Sequence, residues 1–214
     1  MKLDLYVITD EGLAGGLPHS EIAWRAVLGG ADAIQLRDKT LTPREMVRAG
    51  QEIREITRKA GALFIVNDRL DIALACHADG VHLGQDDMGC CTARQLSPAN
   101  FIIGVSVGSV DEALAAEQQG ADYVAVSPVF CTGSKSDAGP GYGLATLKDI
   151  RAAVSIPVIA IGGIGPANAA DVIGAGADGI AVISAVVSQP DITAAARGLS
   201  AIIATAKRAR EGMP

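Results

Sequence analysis

Four times along the chain the phrase Ala-Asp-x-apolar recurs, as ADAIQL from Ala31, ADGVHL from Ala78, ADYVAV from Ala121 and ADGIAV from Ala177. Successive copies lie 47, 43 and 56 residues apart, and three of the four directly follow a glycine. Each copy runs into a short apolar stretch that reads as a buried strand, and each interval has room for two strand-plus-helix units. Between the copies fall four further strand candidates, LDLYVIT, ALFIVND, FIIGVS and PVIAIGG. Helical segments are expected at 43–59, 71–78, 110–119, 166–174 and 192–208. Eight strands alternating with helices predict an α/β chain closed into a (β/α)8 TIM barrel, one domain over residues 1–214. An open doubly wound sheet would need two edge strands of more polar character, and the sequence contains none.

Composition agrees with short strands packed closely by helices: 49% of residues are hydrophobic, only 3% are aromatic, and 25 are glycine. That balance excludes a disordered chain. A net charge of −6 argues against a general nucleic-acid or membrane surface, so an anionic ligand would need local positive charge. Every apolar stretch is broken by Gly, Pro or Asp well before the length that spans a bilayer. The four cysteines (76, 90, 91, 131) form no CxxC pair, and the opening MKLDLYVITD has no charged segment followed by a long apolar one. A cytoplasmic protein with reduced thiols is expected.

In a parallel barrel, ligands meet the carboxyl ends of the strands. In order those ends carry Thr9 and Asp10; Gln35, Arg37 and Lys39; Asn67 and Asp68; Gln85, Asp86 and Asp87; Ser106; Thr132, Ser134 and Lys135; Gly162 and Gly163; Ile183 and Ser184. FIVND and GVHLGQDD place Asp68 and Asp87 at the ends of neighbouring strands, where two carboxylates share either a proton or a cation. Oxygen-only ligands suit Mg²⁺, which completes its octahedron with water and phosphate oxygens. A second reading stands beside it, in which Asp68 caps the next helix and Asp87 only ends a strand.

Alternation in QLRDK turns Gln35, Arg37 and Lys39 to one side and Leu36 to the other, and an Arg fork plus a Lys point charge suits a diphosphate. The same two cations also read as solvated loop charges. On the far side, Gly162, Gly163 and the Ile183–Ser184 turn form a candidate backbone phosphate site, or simply a tight strand-to-helix junction. The Gly-rich segment 131–143, with Lys135 in its midst, has the length and composition of a loop that covers a ligand. His82 is expected inside the barrel; His19 and His77 show no partner.

Taken together, YVITD, QLRDK, FIVNDRLDIAL, ADGVHLGQDD, GVS, TGSK, PVIAIGGI and GADGIAVIS resemble the thiamine-phosphate synthase family, in order and across nearly the whole chain. The resemblance implies transfer of a pyrimidinylmethyl group from hydroxymethylpyrimidine diphosphate to hydroxyethylthiazole phosphate, with loss of pyrophosphate through a carbocation-like step. It implies that the diphosphate meets Gln35, Arg37, Lys39, Asn67, Ser106 and Lys135, with Arg37, Lys39, Ser106 and Lys135 catalytic. It places Mg²⁺ on Asp68 and Asp87 and thiazole phosphate at Thr132, Gly133, Ser134, Gly163, Ile183 and Ser184. Ser127 departs from the family's usual Gly before Pro-Val-Phe, Cys131 from a frequent Pro, and Gly133-Ser134 makes a smaller loop than usual. Two rival readings are a thiazole tautomerase-like paralogue, disfavoured by the presence of Lys39, Asp68, Asp87 and Lys135, and a non-catalytic thiamine-phosphate binding protein. The expected partners are small molecules, and a homo-oligomer is compatible with the sequence.

Overall fold

A computed structural model describes residues 1–133 and 139–212. Its strands are β1 (Leu5–Ile8), β2 (Ala33–Leu36), β3 (Leu63–Asn67), β4 (Gly80–Leu83), β5 (Ile102–Val107), β6 (Tyr123–Val126), β7 (Val158–Ile161) and β8 (Gly179–Val182). All pair in parallel and in chain order, and β8 returns to β1 with Val7 opposite Val182, so the barrel is closed. The helices are α1 (His19–Leu28), α2 (Pro43–Ala60), α3 (Leu70–Ala75), α4 (Cys90–Leu96), α5 (Val110–Gln118), α6 (Gly143–Ala153), α7 (Ala169–Gly174), α8 (Ser184–Val187) and α9 (Ile192–Arg210). Among the described residues no helix is long and apolar enough to cross a membrane.

Strand alternation builds two cores. Val7, Ile34, Val81, Ile103 and Val124 are fully buried on the side that meets the helices, each contributing about 1.5–3 kcal/mol of hydrophobic stabilisation. Tyr6, Gln35, His82, Ser106 and Tyr123 form the opposite set and contact one another across the barrel axis. Glycine makes room for them: a Cβ on Gly104 would stand 2.0 Å from the Tyr123 ring.

The fourfold repeat sits at the amino ends of the strands. Asp32, Asp79, Asp122 and Asp178 each precede an even-numbered strand, and each accepts a hydrogen bond from the neighbouring odd strand. The donors are the amides of Leu5 (3.1 Å), Phe64 (2.8 Å), Ile103 (2.7 Å) and Val158 (2.9 Å). A cation closes each clamp: Lys2 at 2.6 Å, Arg54 at 2.7 Å, Arg94 at 2.5 Å and Arg151 at 2.8 Å, in the same order. The Ala before each Asp donates its amide back into the preceding helix. That turn needs a left-handed residue one position earlier, supplied by Gly30, Gly120 and Gly176 and, in the second copy, by His77 at φ 53°.

His77 also explains a boundary: α3 stops at Ala75, short of the expected 78, because the left-handed backbone at 77 ends the helix. The helix expected from Pro166 begins instead at Ala169. Asn168 accepts from the Gly165 amide at 2.9 Å and donates to the Gly163 carbonyl at 2.9 Å, folding 163–168 into a turn.

Candidate active site

At the carboxyl ends of β2 to β5 lies a cavity of about 420 Å³ that brings together Arg37, Lys39, Asn67, Asp68, Asp87 and Ser106. Asp68 is held at φ 62°, a conformation that costs a non-glycine residue about 1 kcal/mol or more and persists where surrounding structure imposes it. Its amide still reaches the His82 carbonyl at 2.8 Å, prolonging the β3–β4 ladder, while its carboxylate takes the Lys39 Nζ at 2.5 Å. Asp87 is anchored by the Gly84 amide, 2.7 Å from Oδ2, and its carboxyl faces that of Asp68 in the same cavity.

Their titration is driven apart. Burial raises both, but the Lys39 ammonium and the Asp87 contact outweigh it at Asp68 and hold that carboxyl below the usual range. At Asp87, burial and the adjacent Asp68 act together and push the pKa up. A pair in which one carboxylate resists ionisation beside the other has an electrostatic demand for a cation. The donors are hard oxygens, and among the described residues no group of three or more His, Cys, Asp or Glu gathers. A small cation held by two carboxylates and filled out by water and phosphate oxygens therefore suits this site.

Arg37 stands 3.9 Å from Asp10, so the two cations are separately tethered. The loop that carries them is fixed by a residue for which the sequence showed no partner. His19, on α1 and 1% exposed, lies 2.7 Å through Nδ1 from Thr9 Oγ1 and 3.2 Å through Nε2 from Asp38. Asp38 sits between Arg37 and Lys39 and also accepts from the amides of Thr40 and Leu41. Burial alone would raise its pKa, but these backbone amides, the Thr40 hydroxyl and His19 bring it down to about 2. A buried histidine reaching a different element is invisible to spacing arguments, which is why it was missed.

A second cavity, of about 480 Å³, opens over β6 to β8 and includes Thr132, Gly133, Gly163, Ile183 and Ser184. Four glycines, at 133, 162, 163 and 165, share its wall with apolar side chains such as Ile161, Ile164 and Ile183. The glycine pair also serves packing: a Cβ on Gly162 would stand 2.5 Å from Pro128, and one on Gly163 would stand 2.6 Å from the Cys131 carbonyl. The short helix α8 starts at Ser184, at the edge of this cavity. Ser127 and Pro128 line both cavities and form the wall between them, a role the sequence did not single out.

Two expected site residues, Ser134 and Lys135, lie outside the described residues. Gln35 lines neither cavity; it is 2% exposed and donates to the Tyr6 hydroxyl at 2.7 Å, beneath the charged cavity rather than beside Arg37 and Lys39. The reason is that β2 ends at Leu36. Gln35 belongs to the barrel interior, whereas Arg37 and Lys39 follow the strand.

A closed parallel barrel whose strand ends hold two adjoining cavities, one built of cations and paired carboxylates and one of glycines and apolar side chains, defines a (β/α)8 enzyme that handles phosphorylated small molecules. Residues 5–186 match the family described as thiamine monophosphate synthase. The chain belongs to that family. It is 64% identical over 207 residues to the thiamine-phosphate synthase of Methanoregula boonei, covering 97% of this chain and 96% of that one. It is 62% identical to that of Methanoculleus marisnigri, with 97% and 98% covered. A solved thiamine phosphate pyrophosphorylase from Pyrococcus furiosus superposes with a TM-score of 0.89 at 48% identity, covering 95% and 96%.

Proposed function

We propose that the protein joins hydroxymethylpyrimidine diphosphate to hydroxyethylthiazole phosphate, giving thiamine phosphate and pyrophosphate. The observation that carries this reading is the pair of adjoining cavities with different chemistry, sharing the wall at Ser127 and Pro128. The charged cavity takes the diphosphate and the glycine-lined cavity the single phosphate. The reacting pyrimidine methylene and thiazole nitrogen then meet at the shared wall.

In the reaction the methylene C–O bond breaks, its electron pair leaves with pyrophosphate, and the thiazole nitrogen lone pair forms the new C–N bond. No proton has to be removed, so no strong base is required. The aminopyrimidine stabilises the electron-poor methylene, and Arg37, Lys39 and Ser106 hold the departing diphosphate where its charge grows. Donors preorganised in this way are worth roughly 3 kcal/mol each. Lys135, assigned to the same oxygens by the family resemblance, would add a third cation. Asp68 and Asp87 would hold Mg²⁺, which supplies charge neutralisation on the diphosphate. Exclusion of water matters in this reaction, because water would otherwise capture the methylene. The four cysteines are free thiols, which suits a reducing cytoplasm.

The test is pyrophosphate release with each substrate alone and with both. One pyrophosphate per thiamine phosphate, only when both substrates are present, supports the reading. Binding without turnover would point to a thiamine-phosphate binding protein, and thiazole isomerisation without pyrophosphate to a tautomerase.

A further inference from the structure

Barrel interiors of this class are usually filled with branched apolar side chains, but this one contains a continuous polar chain. Gln35 Nε2 donates to the Tyr6 hydroxyl at 2.7 Å, and the Tyr6 and Tyr123 hydroxyls lie 3.2 Å apart. Tyr123 Oη is 2.9 Å from His82 Nδ1, and His82 Nε2 is 2.9 Å from Ser106 Oγ. The chain crosses from β2 through β1, β6 and β4 to β5. It ends at a residue that lines the charged cavity.

Proton order along this chain follows from its first member. An amide N–H can only donate, so the Tyr6 oxygen accepts and its own proton goes to Tyr123. Leaving a buried hydroxyl proton unpaired is costly, and the Tyr123 hydroxyl stands within hydrogen-bond distance to take it. Tyr123 in turn donates to His82 Nδ1, so the imidazole carries its proton on Nε2 and donates to Ser106 Oγ. The Ser106 proton is then directed into the cavity. Burial pushes both tyrosine pKa values well up, so both stay neutral donors. Were the Gln35 amide turned over, every bond would reverse and Ser106 would present lone pairs to an anion.

We infer that Gln35 sets the direction of this chain and that His82 is a positioning residue, orienting Ser106 as a hydrogen-bond donor to the diphosphate. The functional half of this inference rests on the proposed reaction; the tautomer does not.

Nitrogen-15 NMR of the histidine rings in the full-length protein without substrates tests it, with His82→Gln identifying the resonances. The expected result is His82 protonated on Nε2 and bare on Nδ1; a proton on Nδ1 alone, or on both, would overturn the inference. The second arm is a double-mutant cycle. Tyr123→Phe is expected to lower kcat about tenfold, less than loss of the Ser106 donor itself. It should leave the KM for thiazole phosphate unchanged and have no further effect in a Ser106→Ala background. An equal loss in both backgrounds would make Tyr123 merely structural and contradict the positioning role. If the wild-type protein forms no thiamine phosphate, the proposed reaction fails while the tautomer measurement still decides the chain's direction.

Discussion

The two ends of the barrel differ in a way the fold alone does not require. At the amino ends of the strands one device appears four times, an aspartate capping a neighbouring strand with a cation closed over it. At the carboxyl ends the groups change around the barrel: Arg37 and Lys39 follow β2, the carboxylates Asp68 and Asp87 follow β3 and β4, and glycines follow β7. Repetition belongs to the end that every strand-helix pair needs for stability. Divergence belongs to the end where ligands of different shape and charge must be told apart.

The largest effect that would break this comparison is expected at Asp87. Asp87→Asn should lower kcat at least about a hundredfold and abolish the response to Mg²⁺, and chelation of the wild type should have the same effect. Turnover unchanged after EDTA treatment would remove the metal from the account. Thermal stability should move the other way. Because the Asp87 pKa is raised in the fold, its ionised form is disfavoured there, and any stabilisation it gives is confined to acid and lost as pH rises. The metal-free variant at neutral pH should therefore melt no lower than the wild type.

Gly163→Val comes next. The added Cβ meets the Cys131 carbonyl in a left-handed backbone position, so the KM for thiazole phosphate should rise about tenfold or more. Binding of pyrimidine diphosphate should be nearly unaffected; equal changes in both would argue against two separate anion sites.

At the opposite end, Asp122→Ala strips Arg94 and the Ile103 amide of a shared acceptor. A loss of about 2 kcal/mol, or about 4–8 °C in Tm, is expected, with kcat unchanged at a temperature where the variant is folded. Asp38→Asn sharpens the comparison from the ligand end. The Asp38 pKa falls from 3.8 to about 2, so its contribution is present above pH 4 and lost as pH falls towards 2. The variant's stability should vary less with pH across that window, as followed by circular dichroism. The smallest effect is at His77→Gly, which restores the residue used in the other three repeats and should add about 0.5–1 kcal/mol. A destabilised His77→Gly would mean that the imidazole makes a contact worth more than the backbone strain.

The sequence made the barrel legible because its repeat has a period, and periodicity survives without knowledge of contacts. The purpose of that repeat was not legible, since a capping aspartate looks like any strand-edge acid until its partner amide is located. At the other end, Asp68 and Asp87 could be read from their places after adjacent apolar runs. Gln35 was grouped with Arg37 and Lys39 because alternation gives a direction but not a depth. His19, Tyr6 and Tyr123 were missed for a common reason. Their partners are at least ten positions away, as far as the 117 residues between Tyr6 and Tyr123.

One substitution made at both ends tests the division most directly. Arg37→Ala and Arg94→Ala remove the same side chain, the first beside the charged cavity and the second from a clamp on Asp122, Phe101 and Gly120. Measuring kcat/KM and Tm on both, the account predicts that Arg37→Ala loses about a hundredfold or more in kcat/KM with Tm almost unchanged. Arg94→Ala should lose several degrees, about 4–8 °C, with kcat/KM intact. Comparable losses of activity in both folded variants, or an Arg37→Ala enzyme that melts early yet turns over normally, would contradict it.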